Sequence, residues 1–137
     1  FNEPITDTAR SILDGHIVLN RKIAQKNHYP AIDILASISR VMSSIATKEH
    51  KQAAGKLRNV MATYSEAEDL VNIGAYKPGS NKEIDFALSK INAVNDFLMQ
   101  DVYEEVSFDQ LYRKADRAMY QSKKQKGCSA VIYGEEM

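Results

Sequence analysis

The chain has one cysteine (Cys128), no tryptophan, three prolines and no surplus of either charge. A lone cysteine excludes an internal disulfide, and a reducing compartment is the simpler setting for it. Lysine plus arginine balances aspartate plus glutamate at 18 each, so the formal net charge is zero. That balance removes any global pull toward nucleic acid or an anionic membrane surface. No apolar run approaches the roughly 20 residues of a membrane-spanning helix, and no signal-peptide pattern stands at the start. No G-x-x-x-x-G-K-[ST] stretch occurs, so a phosphate-binding loop of that kind is missing. His16, His28 and His50 have no metal-ligand spacing with one another or with Cys128. The acidic residues form no paired-carboxylate site. The first residue is Phe1 rather than Met, which points to a piece or processed form of a longer chain.

What is present reads as a mainly α fold, a bundle of amphipathic helices with one or two short β-strands. Its 137 residues, 44% apolar and 26% charged, suffice for one usable hydrophobic core. Thr6 is a fair N-cap for a helix over Asp7 to Leu13. Asp14 and Gly15 punctuate, and His16 to Leu19 is apolar and β-branched, as a short strand should be. Asn20 is placed to cap a helix over Arg21 to Lys26, which Asn27 to Pro30 breaks. Ala31 to Ser39 is mostly apolar and ambiguous between helix and strand. Leu57, Val60, Met61, Tyr64, Ala67 and Val71 recur at three- and four-residue steps, one stripe of a long helix from Lys48 to Ile73 with Gly74 as its stop. The turn signal Pro78-Gly79-Ser80 precedes a helix capped by Ser80 or Asn81, with Ile84, Leu88, Ile91 and Leu98 on its buried face. Ser107 and Gln110 have capping-box spacing for a further helix. Its packing stripe is Phe108, Leu111, Tyr112, Ala115, Ala118, Met119 and Ser122. Gly127 ends it, and Ala130 to Tyr133 reads as a strand expected to pair with His16 to Leu19.

Beyond periodicity, the residues carry a resemblance. Ile5-Thr-Asp-Thr-Ala-Arg-Ser-Ile-Leu-Asp-Gly-His-Ile-Val-Leu19, His28-Tyr-Pro-Ala-Ile-Asp33, Ala36-Ser-Ile-Ser-Arg40, Glu68-Asp-Leu70 and Ile73-Gly-Ala-Tyr-Lys-Pro-Gly-Ser80 follow in order. Together, from Glu3 to Phe108, they resemble the C-terminal region of flagellar and type III secretion export ATPases, relatives of the rotary F-type subunits. The resemblance implies a cytoplasmic hexameric ring that drives protein export, with ATP and Mg2+ held between identical subunits. It further implies a central stalk and regulator proteins as partners, and membrane association only through the export apparatus. Arg40 matches the arginine finger, a catalytic residue reaching a neighbour's nucleotide; read alone, it is a surface helix-cap charge. Tyr29 matches the aromatic that stacks on adenine, and Phe108 falls near the other side of that pocket. The implied division is residues 1–47 for the end of the ATPase core and 48–107 for the helical domain. Lacking the phosphate loop, the chain alone is expected to bind no nucleotide and to be inactive.

The last segment, 108–137, has a second resemblance. Leu111-Tyr-Arg-Lys-Ala-Asp-Arg-Ala-Met-Tyr-Gln-Ser-Lys-Lys-Gln-Lys-Gly127 and Ala130-Val-Ile-Tyr133 resemble the final helix and strand of a GGDEF diguanylate cyclase domain. The signature motif and metal-binding aspartates of that family are absent, so cyclase activity is not expected. A chimera, a helical interaction module without enzymology, or the C-terminal piece of a diguanylate cyclase protein is the alternative reading of the whole chain.

Overall fold

Proline lacks the N–H that a helix cannot use in its first turn, so Pro4 can open one. In the computed structural model, α1 spans Pro4–Ile12 with Glu3 at the N-cap position. It therefore starts before the Thr6 cap expected from the sequence, because proline at the first position outweighs a hydroxyl two residues later. The structure describes the backbone of residues 3–125 and the side chains of residues 3–118. The expected strand at Ala130 to Tyr133, and its pairing, lie outside the described residues.

After α1 come β1 (Gly15–Leu19), α2 (Arg21–Gln25) and β2 (Ile32–Ser39). Short α3 (Met42–Ile45) follows, then α4 (Lys48–Asn72), α5 (Lys82–Leu98) and α6 (Phe108–Gln125). The architecture is mainly α with two short antiparallel strands. The ambiguous apolar run at Ala31 to Ser39 resolves as β2, the partner of β1. The chain divides into two compact units, Phe1–Asn59 and Val60–Met137, the boundary falling inside α4.

The second unit holds the core. Val60 and Ala67 of α4 and Ala87, Ile91 and Val94 of α5 are buried. All six members of the α4 stripe read from the sequence are buried or half-buried. Lys90 is also buried at 2% exposure, with Nζ 5.7 Å from the Phe86 ring centre. Its aliphatic stem extends the α5 apolar face, which explains how a lysine sits in that stripe. Against α5 packs α6, but its stripe differs from expectation. Phe108, Leu111 and Tyr112 are exposed, and the half-buried members are the small Ala115 and Ala118. Close helix approach favours small side chains at the contact, which leaves the larger ones of the first turn open.

Polar caps delimit these helices. Thr47 Oγ1 accepts from the His50 amide at 3.2 Å at the start of α4. At its end the Gly74 amide donates to the Val71 carbonyl (3.1 Å) and the Ala75 amide to the Leu70 carbonyl (2.9 Å). These are the two bonds of a Schellman motif, and Gly74 takes the left-handed φ of 72° that the motif requires. In the following turn the Asp85 carboxylate accepts from the Tyr76 hydroxyl at 2.6 Å and the Gly79 amide at 3.0 Å. Partial burial, then the hydrogen bond to Asp85, raises the Tyr76 phenol above its ordinary range. Asn81 caps α5 through the amides of Glu83 (2.9 Å) and Ile84 (3.3 Å). The capping box of α6 is complete: the Ser107 amide donates to Gln110 Oε1 at 2.9 Å, and the Gln110 amide to Ser107 Oγ at 3.3 Å.

Two outcomes follow for the second unit. An added Cβ at Gly74 would meet open space, so Gly74→Ala carries only the left-handed backbone penalty. It should lower stability by about 1 kcal/mol in urea denaturation. The Lys114 ammonium bonded to Glu104, then the Asp101 amide, hold the Glu104 carboxyl below its ordinary range. A depressed folded-state pKa gives stability that is present above the unfolded-state value and is lost as pH falls through the folded one. Glu104→Gln should therefore flatten the acid limb of the urea midpoint, measured from about pH 6 to about pH 3.

Candidate functional site

Strand register sets the candidate site in the first unit. Near one end Leu19 pairs with Ile32 and Val18 with Asp33; near the other, His16 pairs with Ile38 and Gly15 with Ser39. From Val18 to His16 β1 advances two residues while β2 advances five, from Asp33 to Ile38. The three surplus residues of β2 form a wide bulge, whose backbone groups cannot all join the ladder.

Side chains take over those groups. Asp33 Oδ1 accepts from the Ala36 amide at 3.1 Å, and Ser37 Oγ donates to the Asp33 carbonyl at 2.6 Å while accepting from the Val18 amide at 3.0 Å. His16 Nε2 lies 3.1 Å from the Ala36 carbonyl. Arg58 of α4 donates to the carbonyls of Ile34 at 2.8 Å, Leu35 at 3.2 Å and Ser37 at 3.4 Å. The bonds of the Ala36 amide and of the Ile34 and Leu35 carbonyls are exposed, where water competes for the same groups, so these contacts fix the path of the bulge and each adds about 1 kcal/mol.

Arg40 lies one residue beyond β2. Its amide donates to the Asp14 carbonyl at 2.8 Å. Its guanidinium donates to the carbonyls of Ser11 at 3.2 Å and Arg10 at 3.1 Å, at the C-terminal end of α1. A cation there completes carbonyls that the helix leaves open and suits the helix dipole. This is the helix-cap role that the residue taken alone predicted. Arg40 is nevertheless exposed, and each Nη has a second N–H beyond these bonds. Arg10 and Asp14 hold Arg40 through their carbonyls.

Tyr29 lies at the opposite end of β2. Asn20 Oδ1 caps α2 through the Lys22 amide at 2.9 Å, and Asn20 Nδ2 donates to Asp33 Oδ2 at 3.0 Å. Asn27 adopts a left-handed φ of 56°, and the Tyr29–Pro30 peptide bond is cis. The loop so formed leaves the Tyr29 ring 52% exposed. With all of β2 between them, Tyr29 and Arg40 do not converge on one point. Phe108 belongs to the second unit, 70% exposed at the first position of α6, so it does not fill the helix-packing role considered for it. Also in that unit, a shallow cleft of about 330 Å³ is lined by Glu104, Gln110, Arg113, Lys114 and Arg117 among others. Sequence reasoning missed Asp33 and Arg58. Asp33 carried a signal, an acid inside an apolar run, whereas the partners of Arg58 are carbonyls more than twenty residues away.

Among the described residues no helix is long and apolar enough to cross a membrane, and no group of three or more His, Cys, Asp or Glu could hold a metal ion.

The family described as the T3SS EscN ATPase C-terminal domain matches residues 46–115, and the ATP synthase alpha/beta family, nucleotide-binding domain, matches residues 1–39. A flagellum-specific ATP synthase of Bacillus subtilis is 55% identical over 104 residues, covering 76% of this chain and 24% of its own. The structure of the assembled ATPase EscN from the type III secretion system of enteropathogenic E. coli has 41% identity and a TM-score of 0.80, over 85% of this chain and 28% of that one. EscN in complex with its central stalk EscO matches at 40% identity with a TM-score of 0.78, over 85% of this chain and 29% of that one. The chain thus spans about a quarter of the length of the curated relatives it matches. The first family continues through residue 115, into the segment read as cyclase-like, and the comparisons give no support to a GGDEF chimera.

One steric consequence is open to test. A Cβ on Gly15 would lie 2.6 Å from the Ile38 carbonyl oxygen and 3.3 Å from Ser39 Cα. Gly15→Ala should force the strands apart beside Arg40 and lower stability by about 2 kcal/mol, read by urea denaturation.

Proposed function

The chain belongs to the C-terminal domain family of the type III secretion and flagellar export ATPases, and from that premise we propose that it works within an ATP-hydrolysing ring of identical subunits that drives protein export. In this reading Arg40 reaches the nucleotide of a neighbouring subunit, and Tyr29 lines the adenine pocket of its own. Residues 1–47 close the nucleotide-binding core. The helices after Lys48 couple it to a central stalk, as the EscN–EscO complex has one. The work is cytoplasmic, with regulator proteins and the export apparatus as further partners and the membrane touched only through that apparatus.

The observation that carries the reading is the state of Arg40: exposed, yet fixed by its amide and by both Nη atoms. Phosphoryl transfer spreads negative charge over the equatorial oxygens, and a planar fork of donors that is already oriented meets that charge with little reorganisation. The bonds to α1 orient the fork and leave further N–H groups for phosphate. Bound ATP with Mg2+ would supply the phosphoryl group and offset its charge. Tyr29, an exposed ring beside Pro30, suits stacking on a purine face. No Mg2+ ligand is assigned to this chain. The separation of Tyr29 and Arg40 along β2 agrees with service to two different nucleotides. With no phosphate-loop sequence of its own, the chain alone is not expected to turn over ATP.

Arg40→Ala, placed in an assembled ring of a longer chain that carries this sequence, should reduce ATP turnover by a factor of about 10³ or more. The ring mass by light scattering should stay the same. Normal turnover in that ring would rule out the role of Arg40.

A further inference from the structure

Arg40 follows two paired residues, Ile38 and Ser39, which stand just beyond a segment that strand pairing does not fix. Between the pairs Val18–Asp33 and His16–Ile38, β2 contains residues 34 to 37 where β1 contains only Ile17. Ile38 and Ser39 rejoin the ladder opposite His16 and Gly15, so those four residues act on Arg40 through the register at which these two pairs form. Of their four carbonyls, that of Ala36 faces His16, and those of Ile34, Leu35 and Ser37 all face one guanidinium.

We propose that Arg58 is a positioning residue for Arg40, its fork gripping the bulge of β2 so that Arg40 emerges where α1 can orient it. The inference rests on the reading of Arg40 as the group that reaches nucleotide. The chemistry of the grip singles out arginine. Three carbonyls of one bulge present separate lone pairs, and a planar fork meets them from two nitrogens at once, Nη1 on Ile34 and Ser37 and Nη2 on Leu35. A lysine ammonium is a compact point charge and would hold fewer of them. Arg58 sits on α4, a 25-residue helix, so the grip comes from a regular element rather than from another loop. Asp33 and Ser37 brace the bulge from within, but both belong to β2 and would move with it. From other elements, the Val18 amide holds Ser37, Asn20 holds Asp33, and His16 and Arg58 take the four bulge carbonyls, three of which fall to Arg58. A displacement of about 1 Å at a charged group is enough to cost about 10²-fold in rate, so loosening the bulge would be felt at Arg40.

Two measurements test this together. In the present chain, Arg58→Gln should speed amide exchange at Ala36, which lies in the bulge and donates to Asp33, and at Val18, which donates to Ser37 of the bulge, while amides of α5 keep their protection. In an assembled ring of a longer chain carrying this sequence, Arg58→Gln should lower kcat about 10- to 100-fold, with KM for ATP within about twofold and ring mass unchanged. Arg58→Lys should recover part of the loss. In a ring that already carries Arg40→Lys, the same Arg58→Gln change should lower kcat by no more than about twofold, because the misplaced group is already impaired. Unchanged exchange at Ala36 and Val18, or an equal kcat loss in both backgrounds, would overturn the role of Arg58. Normal turnover in Arg40→Lys alone would instead remove the reading of Arg40 and leave the exchange result to decide the grip. Should Arg58→Gln fail to assemble, Arg58→Lys decides: an intermediate kcat supports the grip, and a normal one refutes it.

Discussion

A strand can keep three surplus residues only if its idle backbone groups find partners elsewhere. That constraint governs the first unit. β1 and β2 agree at both ends and disagree between them, and the disagreement is absorbed by Asp33, Ser37, His16 and Arg58. Each takes a backbone group that the ladder abandons. Asp33 does more, since its second oxygen accepts from Asn20, the cap of α2. One aspartate thereby ties the helix leading to the Tyr29 loop to the bulge that leads to Arg40. The two candidate residues are spaced by a strand, and Arg40 takes its own bonds from Asp14 and the end of α1.

The second unit is held differently. Among the described residues its buried side chains are apolar apart from Lys90, and polar contacts gather at helix ends: Asn81, Ser107 with Gln110, and the Gly74 motif. Packing provides the driving force here, and caps decide where helices start and stop. The turn between α4 and α5 adds a third device, with Asp85 reaching back from the first turn of α5 to Tyr76 and Gly79. A loop tied in this way has few conformations to lose when it meets a partner, which favours its use as a contact point.

These two regimes explain what the sequence made legible. Periodicity found the α4 stripe because packing follows helical period, and it placed the Ser107–Gln110 box and the Gly74 stop because caps are local in sequence. It failed on α1, where Pro4 prevailed over Thr6. It also failed on the first turn of α6, where Phe108, Leu111 and Tyr112 are exposed although their spacing suits packing. Residues 31–39 stayed ambiguous because a strand flanked by a bulge has neither strict alternation nor a helical stripe. Arg40 and Tyr29 came from family resemblance alone. Their supports were hidden because Arg58 and Arg40 both bond carbonyls, which every residue type has, at sequence separations of 21 to 30.

The balance of forces in the first unit bears on how far the candidate site can hold its own shape. Among the described residues none of that unit is buried, and Ile5, Ile12, Ile17, Leu19 and Ile45 are each more than 70% exposed. Ile17 and Leu19 alternate on one face of β1, where a strand presents side chains to a covering layer. Covering each such side chain is worth about 1.5–3 kcal/mol, and a two-stranded sheet by itself is marginal in water. Polar ties, not packing, therefore define the path from β2 to Arg40 in this chain. Hydrogen bonds are directional but individually small in net stability, about 1 kcal/mol each. They can specify where a guanidinium points without making that geometry robust. Robustness has to come from a layer laid over the apolar face of β1 and α1. That requirement agrees with a site that acts only as part of a larger nucleotide-binding body.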